Sequence, residues 1–96
     1  MTQILTEATA AGNTQAQVLS KNDVVTICMT GVQTAAEYGD IQYSDDGGST
    51  WLDLYQDGSQ VRLSSTNTCV TVEGPLIFRV AKEATTNACG VIKFGG

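Results

Sequence analysis

The sequence predicts an all-β protein: a single compact antiparallel β-sandwich of about seven or eight strands, immunoglobulin-like or jelly-roll-like, with an extended N-terminal arm. Three observations point there. Thirteen threonines, nine valines and ten glycines are spread through 96 residues, a mixture that favours pleated, half-buried strands and tight turns over helices. Apolar residues recur with a period of two rather than the roughly 3.6 of a helix. Turn residues separate these stretches at intervals of roughly 8–12 residues, the spacing of a sandwich or small barrel.

Residues 1–14 carry no long apolar alternation and include the small, polar run Ala8-Thr9-Ala10-Ala11-Gly12-Asn13. They are expected to form an extended arm that orders on a partner, through Gln3, Ile4 and Leu5. Residues 15–96 are read as the sandwich domain. Ala16 and Val18 begin one alternating stretch, and Val25, Ile27 and Met29 form the next after the polar turn Lys21-Asn22-Asp23. Gly31 closes that strand and opens a loop through Thr34-Ala35-Ala36. Ile41 and Tyr43 alternate against Asp40, Gln42 and Ser44, and the turn Asp45-Asp46-Gly47-Gly48 leads into Trp51–Tyr55 as a hairpin. After Asp57-Gly58, Val61 and Leu63 make a fifth strand and Val70 and Val72 a sixth. Gly74-Pro75 breaks the pattern before Leu76, Phe78 and Val80, and Val91 to Phe94 supply the last strand.

The chain carries five basic and ten acidic side chains, a net charge of −5, and no histidine. An acidic balance disfavours nucleic acid and anionic membrane surfaces as partners and points to protein surfaces. Without histidine, the usual general base and the commonest zinc ligand are missing, so an enzymatic role is not expected, nor a cofactor or metal site. No segment approaches the roughly 18 consecutive apolar residues that would span a bilayer. The first residues have neither a basic start nor a signal-length apolar run, so synthesis in the cytoplasm is expected. Cys28, Cys69 and Cys89 show no CxxC spacing; three small buried thiols in a reducing compartment are expected, one disulfide being optional.

The sharpest local motif is Ser44-Asp45-Asp46-Gly47-Gly48-Ser49-Thr50-Trp51, which fits S-x-D-x-G-x-T-W and resembles the Asp-box hairpin of sialidase-like propellers. In such a turn a short acidic side chain accepts backbone N–H groups, glycine tolerates positive φ, and the tryptophan packs over the hairpin base. Ser44, Asp46, Gly48, Thr50 and Trp51 are therefore read as structural turn residues. One copy in 96 residues cannot build a propeller of repeated blades, and the arginine triad that a sialidase resemblance implies is not available from Arg62 and Arg79 alone. Asp45 and Asp46, with Asp40 and Asp53, are weighed as calcium ligands or as an acid–base pair, against a solvated acidic turn; they follow no EF-hand spacing. Trp51, Tyr43, Tyr55 and Phe78 are expected to fill the core, with Tyr38 as a candidate contact residue. Arg62, Arg79, Lys82 and Lys93 are expected on outer faces.

Taken together, a small-residue arm, a Thr/Val-rich sandwich, the Tyr43–Trp51 hairpin, the Val72–Val80 segment and a closing Gly90–Phe94 strand resemble the small virion proteins of tailed bacteriophages. The pattern is similar to decoration, or cement, proteins. That resemblance implies a non-enzymatic homotrimer on the capsid exterior, bound to the major capsid protein lattice and stabilising the head. Gly74–Val80 is also similar to the corner of immunoglobulin-like domains, with Phe78 lacking the tyrosine hydroxyl. The alternative reading is a carbohydrate-binding or adhesin module of a phage tail or surface structure, in which Trp51, Tyr55 or Tyr38 stacks on a sugar beside Asp53 and Gln56.

Overall fold

A computed structural model describes residues 2–95 of the chain. Its strands are β1 (Thr2–Ala8), β2 (Gly12–Asn13), β3 (Gln17–Leu19), β4 (Val24–Thr30), β5 (Gly39–Ser44), β6 (Leu52–Asp53), β7 (Tyr55–Gln56), β8 (Ser59–Gln60), β9 (Arg62–Leu63), β10 (Cys69–Glu73), β11 (Leu76–Lys82) and β12 (Cys89–Gly95). The fold is all-β. One sheet runs β1-β12-β4-β10; the other runs β2-β11-β5-β6, with β3 on the same edge as β2 and β9 on the same edge as β6. Both sheets are thus four strands wide, β7 and β8 form a separate two-stranded hairpin, and every pairing is antiparallel. With β2/β3 and β6/β9 each taken as one strand, every step between the two large sheets' strands changes sheet except β5 to β6. Counting β2/β3 and β6/β9 as single strands, the orders are 1-8-3-6 and 2-7-4-5, which is the jelly-roll arrangement rather than the immunoglobulin one.

Period-two alternation explains the core. Val25, Ile27 and Met29 of β4, Val72 of β10 and Val91 of β12 meet Leu19, Ile41, Leu63, Phe78 and Val80 of the other sheet in one buried cluster. Phe78, fully buried, is the largest of these side chains. Two glycines let the crossovers close: Gly31 has φ of 78°, and a Cβ there would lie 2.1 Å from the Ala88 carbonyl oxygen; at Gly74 it would lie 2.0 Å from that of Ser20.

Several sequence expectations are corrected. The arm of residues 2–14 is part of the sandwich; Met1 lies outside the described residues. β1 pairs with β12 through Gln3↔Ile92, Leu5↔Val91 and Ala8↔Cys89, with a register shift on each side of Leu5. Ile4 and Leu5 pack against the core while Gln3 is exposed. Thr14 then joins the second sheet, its N–H donating to the Val80 carbonyl at 3.0 Å and its hydroxyl accepting from the Val80 N–H at 2.9 Å. Of the four aromatics assigned to the core, only Phe78 lies fully within it. Tyr55 is 60% exposed, and Tyr43 and Trp51 are half-buried. Lys82 is buried and donates to the Ala10 carbonyl, and Lys93 reaches Gln17 of the opposite sheet at 3.0 Å. Both lie two residues from an inward valine, so their stems line the sandwich rim while their ammonium groups find oxygen partners.

Two of the three cysteines take the optional disulfide, and Cys69 is exposed rather than buried. Register places Cys69 directly opposite Cys28 on neighbouring strands, and the two are joined as a disulfide. Cys89 is free and buried. The bond closes a loop over a sequence separation of 41 residues and ties the edge strand β10 to β4. Loop-closure entropy assigns such a link about 4 kcal/mol, with about 2 kcal/mol the usual lower figure for native bridges. The double variant Cys28→Ala, Cys69→Ala is expected to lose stability within that range in urea unfolding, and the native protein to show a single thiol that reacts only on unfolding. An unchanged urea midpoint would contradict this.

Candidate functional site

The outward side chains of the second sheet form three rows, set by strand register. Arg79 lies opposite Gln42, and Gln42 opposite Asp53. One step along β5, Asp40 lies between Ala81 and Arg62. One step the other way, Ser44 lies opposite Ile77, which in turn pairs with Val18. These positions share a face because alternate residues of a strand point the same way. The Arg79 Nε donates to Gln42 Oε1 at 2.9 Å, and the Gln42 amide donates onward to Asp53 Oδ1 at 3.2 Å. The Arg79 guanidinium lies 4.6 Å from the Trp51 ring centroid, and that of Arg62 lies 4.1 Å from Tyr38. Arg62 also pairs with Asp40 at 2.6 Å, the one ion pair among the described residues. Each arginine therefore lies over an aromatic ring, where cation–π attraction and hydrogen bonding hold it in place.

Trp51 reaches this face because of the turn before it. Ser44 is buried, and its hydroxyl donates to Asp46 Oδ1 at 2.7 Å while accepting the Gly48 N–H at 2.8 Å. The same Asp46 oxygen accepts the N–H groups of Ser49 at 3.1 Å and Thr50 at 2.9 Å. Gly47 and Gly48 both have positive φ, 78° and 103°. These bonds favour the ionised carboxylate, the Ser44 hydroxyl most, and lower the Asp46 pKa from 3.8 to about 2. The Asp46 carboxylate is thus committed to the turn, as Asp40 is to Arg62 and Asp53 to Gln42. Among the described residues no group of three or more metal-ligating side chains gathers, and no enclosed pocket forms.

A second polar centre lies at one end of the sandwich. Glu37 is only 1% exposed. Its Oε1 accepts the N–H groups of Gln33 at 2.8 Å and Thr34 at 2.9 Å and the Asn87 amide at 3.2 Å, and its Oε2 accepts the Asn87 N–H at 2.6 Å. The Cys89 thiol donates weakly to Oε2 at 3.9 Å. The backbone bonds, that of Gln33 first, outweigh desolvation and lower the Glu37 pKa from 4.5 to about 2. Burial pushes the Cys89 thiol up, which keeps it protonated and a poor nucleophile.

The structure gathers Tyr38, Ser44 and Trp51 on or beside the outer face of the second sheet, with Asp46, Gly48 and Thr50 in the turn that supports it. Gln3, Ile4 and Leu5 lie apart, on the edge strand of the first sheet. Sequence reasoning missed Glu37 and Asn87. The readable signal was Thr34-Ala35-Ala36-Glu37, the T-x-x-E spacing in which a glutamate reaches back to a backbone N–H; the partner loop at Asn87 carries no such mark. Comparison with family models, curated proteins and solved structures finds no match to this chain.

The two lowered carboxyls set an acid limit. A depressed pKa contributes stability that is fully present above the unfolded value and is lost as pH falls through the folded one. Stability is therefore expected to hold above pH 4.5 and to fall between there and about pH 2. Glu37→Gln is expected to lower the melting temperature at neutral pH and to flatten the acid slope, Asp46 alone remaining to produce it. Thermal melts across that range check this; parallel slopes for both proteins would contradict it.

Proposed function

We propose that the chain is a non-enzymatic structural protein of a virion, a decoration protein that binds the major capsid protein lattice on the head exterior and stabilises it. The observation that carries the reading is the outer face of the second sheet, a broad surface on which Arg62, Arg79, Tyr38 and Trp51 are locked in place. Tryptophan, tyrosine and arginine are the residues that anchor protein–protein contacts, and anchors fixed beforehand lose little entropy on binding. Jelly-roll sandwiches serve as capsid and lectin domains, which raises the reading by analogy of fold alone. A disulfide staple also suits a protein displayed on a particle surface after synthesis in the cytoplasm. The trimer belongs to the same proposal, because a second and third copy supply burial that a chain of this size lacks. Nucleic acid and membrane are not partners in this reading, and no cofactor is needed.

A second reading, a carbohydrate-binding module, is favoured by Tyr55. It stands 60% exposed on the β7–β8 hairpin, between Gln56 and its cross-strand partner Gln60. Trp51 and Tyr38 are less suited to stack on a sugar, since one face of each ring already carries a guanidinium.

The test is the solution mass by light scattering, followed by co-sedimentation with undecorated heads of the phage that encodes the chain. A trimer that pellets with the heads is expected. A monomer that ignores them, and that binds a glycan array in a manner abolished by Tyr55→Ala, would replace this reading with the second.

A further inference from the structure

We infer that the outer face of the second sheet takes a carboxylate flanked by an apolar side chain on the surface of the capsid protein, with Arg79 as the anchor. The inference rests on the head-binding reading and assigns its contact surface. Arg62 is already neutralised by Asp40, through Nε at 2.6 Å and Nη2 at 3.5 Å. Arg79 has no such partner. Its one hydrogen bond among the described residues runs from Nε to the neutral Gln42 amide, which leaves the N–H groups of both terminal nitrogens for a ligand. The Trp51 ring 4.6 Å from the guanidinium and the Nε–Gln42 bond restrict its movement. The planar guanidinium fork matches a carboxylate in bidentate fashion.

The neighbouring residues define the rest of the ligand. Ile77, two positions before Arg79 on β11, points to the same side and pairs with Val18, which is 70% exposed. An apolar strip therefore runs directly beside the unpaired cation, and its natural complement is an acidic side chain with an apolar neighbour. A phosphate polyanion would satisfy the guanidinium alone, but the net charge of −5 repels it at longer range. The outer face of the first sheet offers no equivalent. Thr26, Thr71, Ile92 and Phe94 lie there with Glu7 and Glu73, and its strands carry no outward lysine or arginine.

The experiment titrates the wild-type chain, Arg79→Ala, Arg79→Lys, Val18→Asp and Glu73→Ala onto undecorated heads of the encoding phage, with circular dichroism to confirm that each is folded. Val18→Asp tests the face at a side chain whose exposure makes misfolding a small risk. Arg79→Ala and Val18→Asp are each expected to weaken binding by about tenfold or more, the scale of a contact hot spot. Arg79→Lys should recover only part of the loss, and Glu73→Ala should bind as wild type does. Raising salt from about 50 to about 500 mM should weaken the wild type more than Arg79→Ala, since the screened attraction is absent from the variant. Wild-type binding matched by both Arg79→Ala and Val18→Asp would overturn the inference and leave the head-binding reading intact. Failure of the wild type to bind heads would overturn that reading and, with it, this contact surface. A wild-type oligomer that Arg79→Ala dissociates would assign the face to a second copy and overturn the capsid occupant.

Discussion

Glu37 holds together the two crossover loops at one end of the sandwich, and the arrangement of both sheets depends on it. A jelly roll changes sheet at nearly every connection, so its loops pass over the open ends of the core with backbone N–H groups that need partners. The Gly31–Tyr38 segment leads from β4 to β5, and the Glu83–Ala88 segment from β11 to β12. One carboxylate accepts from the backbone of both, at Gln33, Thr34 and Asn87. Gly31 allows the approach, since any side chain there would strike the Ala88 carbonyl. The N-terminal crossover joins the same cluster, where Thr85 donates its N–H to the Thr9 carbonyl at 2.8 Å and Lys82 donates to Ala10. At the edge of the first sheet the Cys28–Cys69 bond ties β10 to its neighbour β4.

Stiffness of this kind extends to the outer face of the second sheet, the face proposed as the contact surface. The strands beneath it, β11 and β5, are the central pair of that sheet, and Phe78, Val80 and Ile41 fix them from the core side. Outward residues on such strands have little freedom to move. The Ser44–Trp51 turn, closed by Asp46, then delivers an indole to the position where it can support Arg79. Core packing, a local turn and strand register thus converge on one guanidinium, held over Trp51, whose terminal nitrogens have no hydrogen-bond partner among the described residues. The edge strands are blunted in different ways: β1 by two register shifts, the β2/β3 edge by its break at Thr14, and the β6/β9 edge by the projecting Tyr55–Gln60 hairpin. Irregular edges of this sort hinder open-ended strand addition.

What the sequence made legible was whatever depends on neighbours along the chain. Val25, Ile27 and Met29, or Phe78 and Val80, declare their strands because each stretch alternates without interruption. The Asp-box turn was readable because all its partners lie within eight residues. β1 was not, since its register shifts on either side of Leu5 break the alternation that would have marked Thr2–Ala8 as a strand. The disulfide pair and the Glu37–Asn87 bonds join residues 41 and 50 positions apart, distances that only sheet register and loop docking resolve. Lys82 and Lys93 teach a different lesson. Strict period two from Val80 and Val91 places both inward, and their long stems let the ammonium groups reach oxygen partners on Ala10 and Gln17.

Side-chain footprinting by hydroxyl radicals reads most directly whether the outer face of the second sheet is the contact surface proposed for it. The protein would be oxidised free and bound to undecorated heads of the encoding phage, and the modified residues compared. Protection is predicted at Trp51, Ile77 and Val18, with Phe94 and Ile92 on the opposite face reacting as they do in the free chain. Protection confined to Phe94 and Ile92, or to Tyr55 on the projecting hairpin, would contradict it.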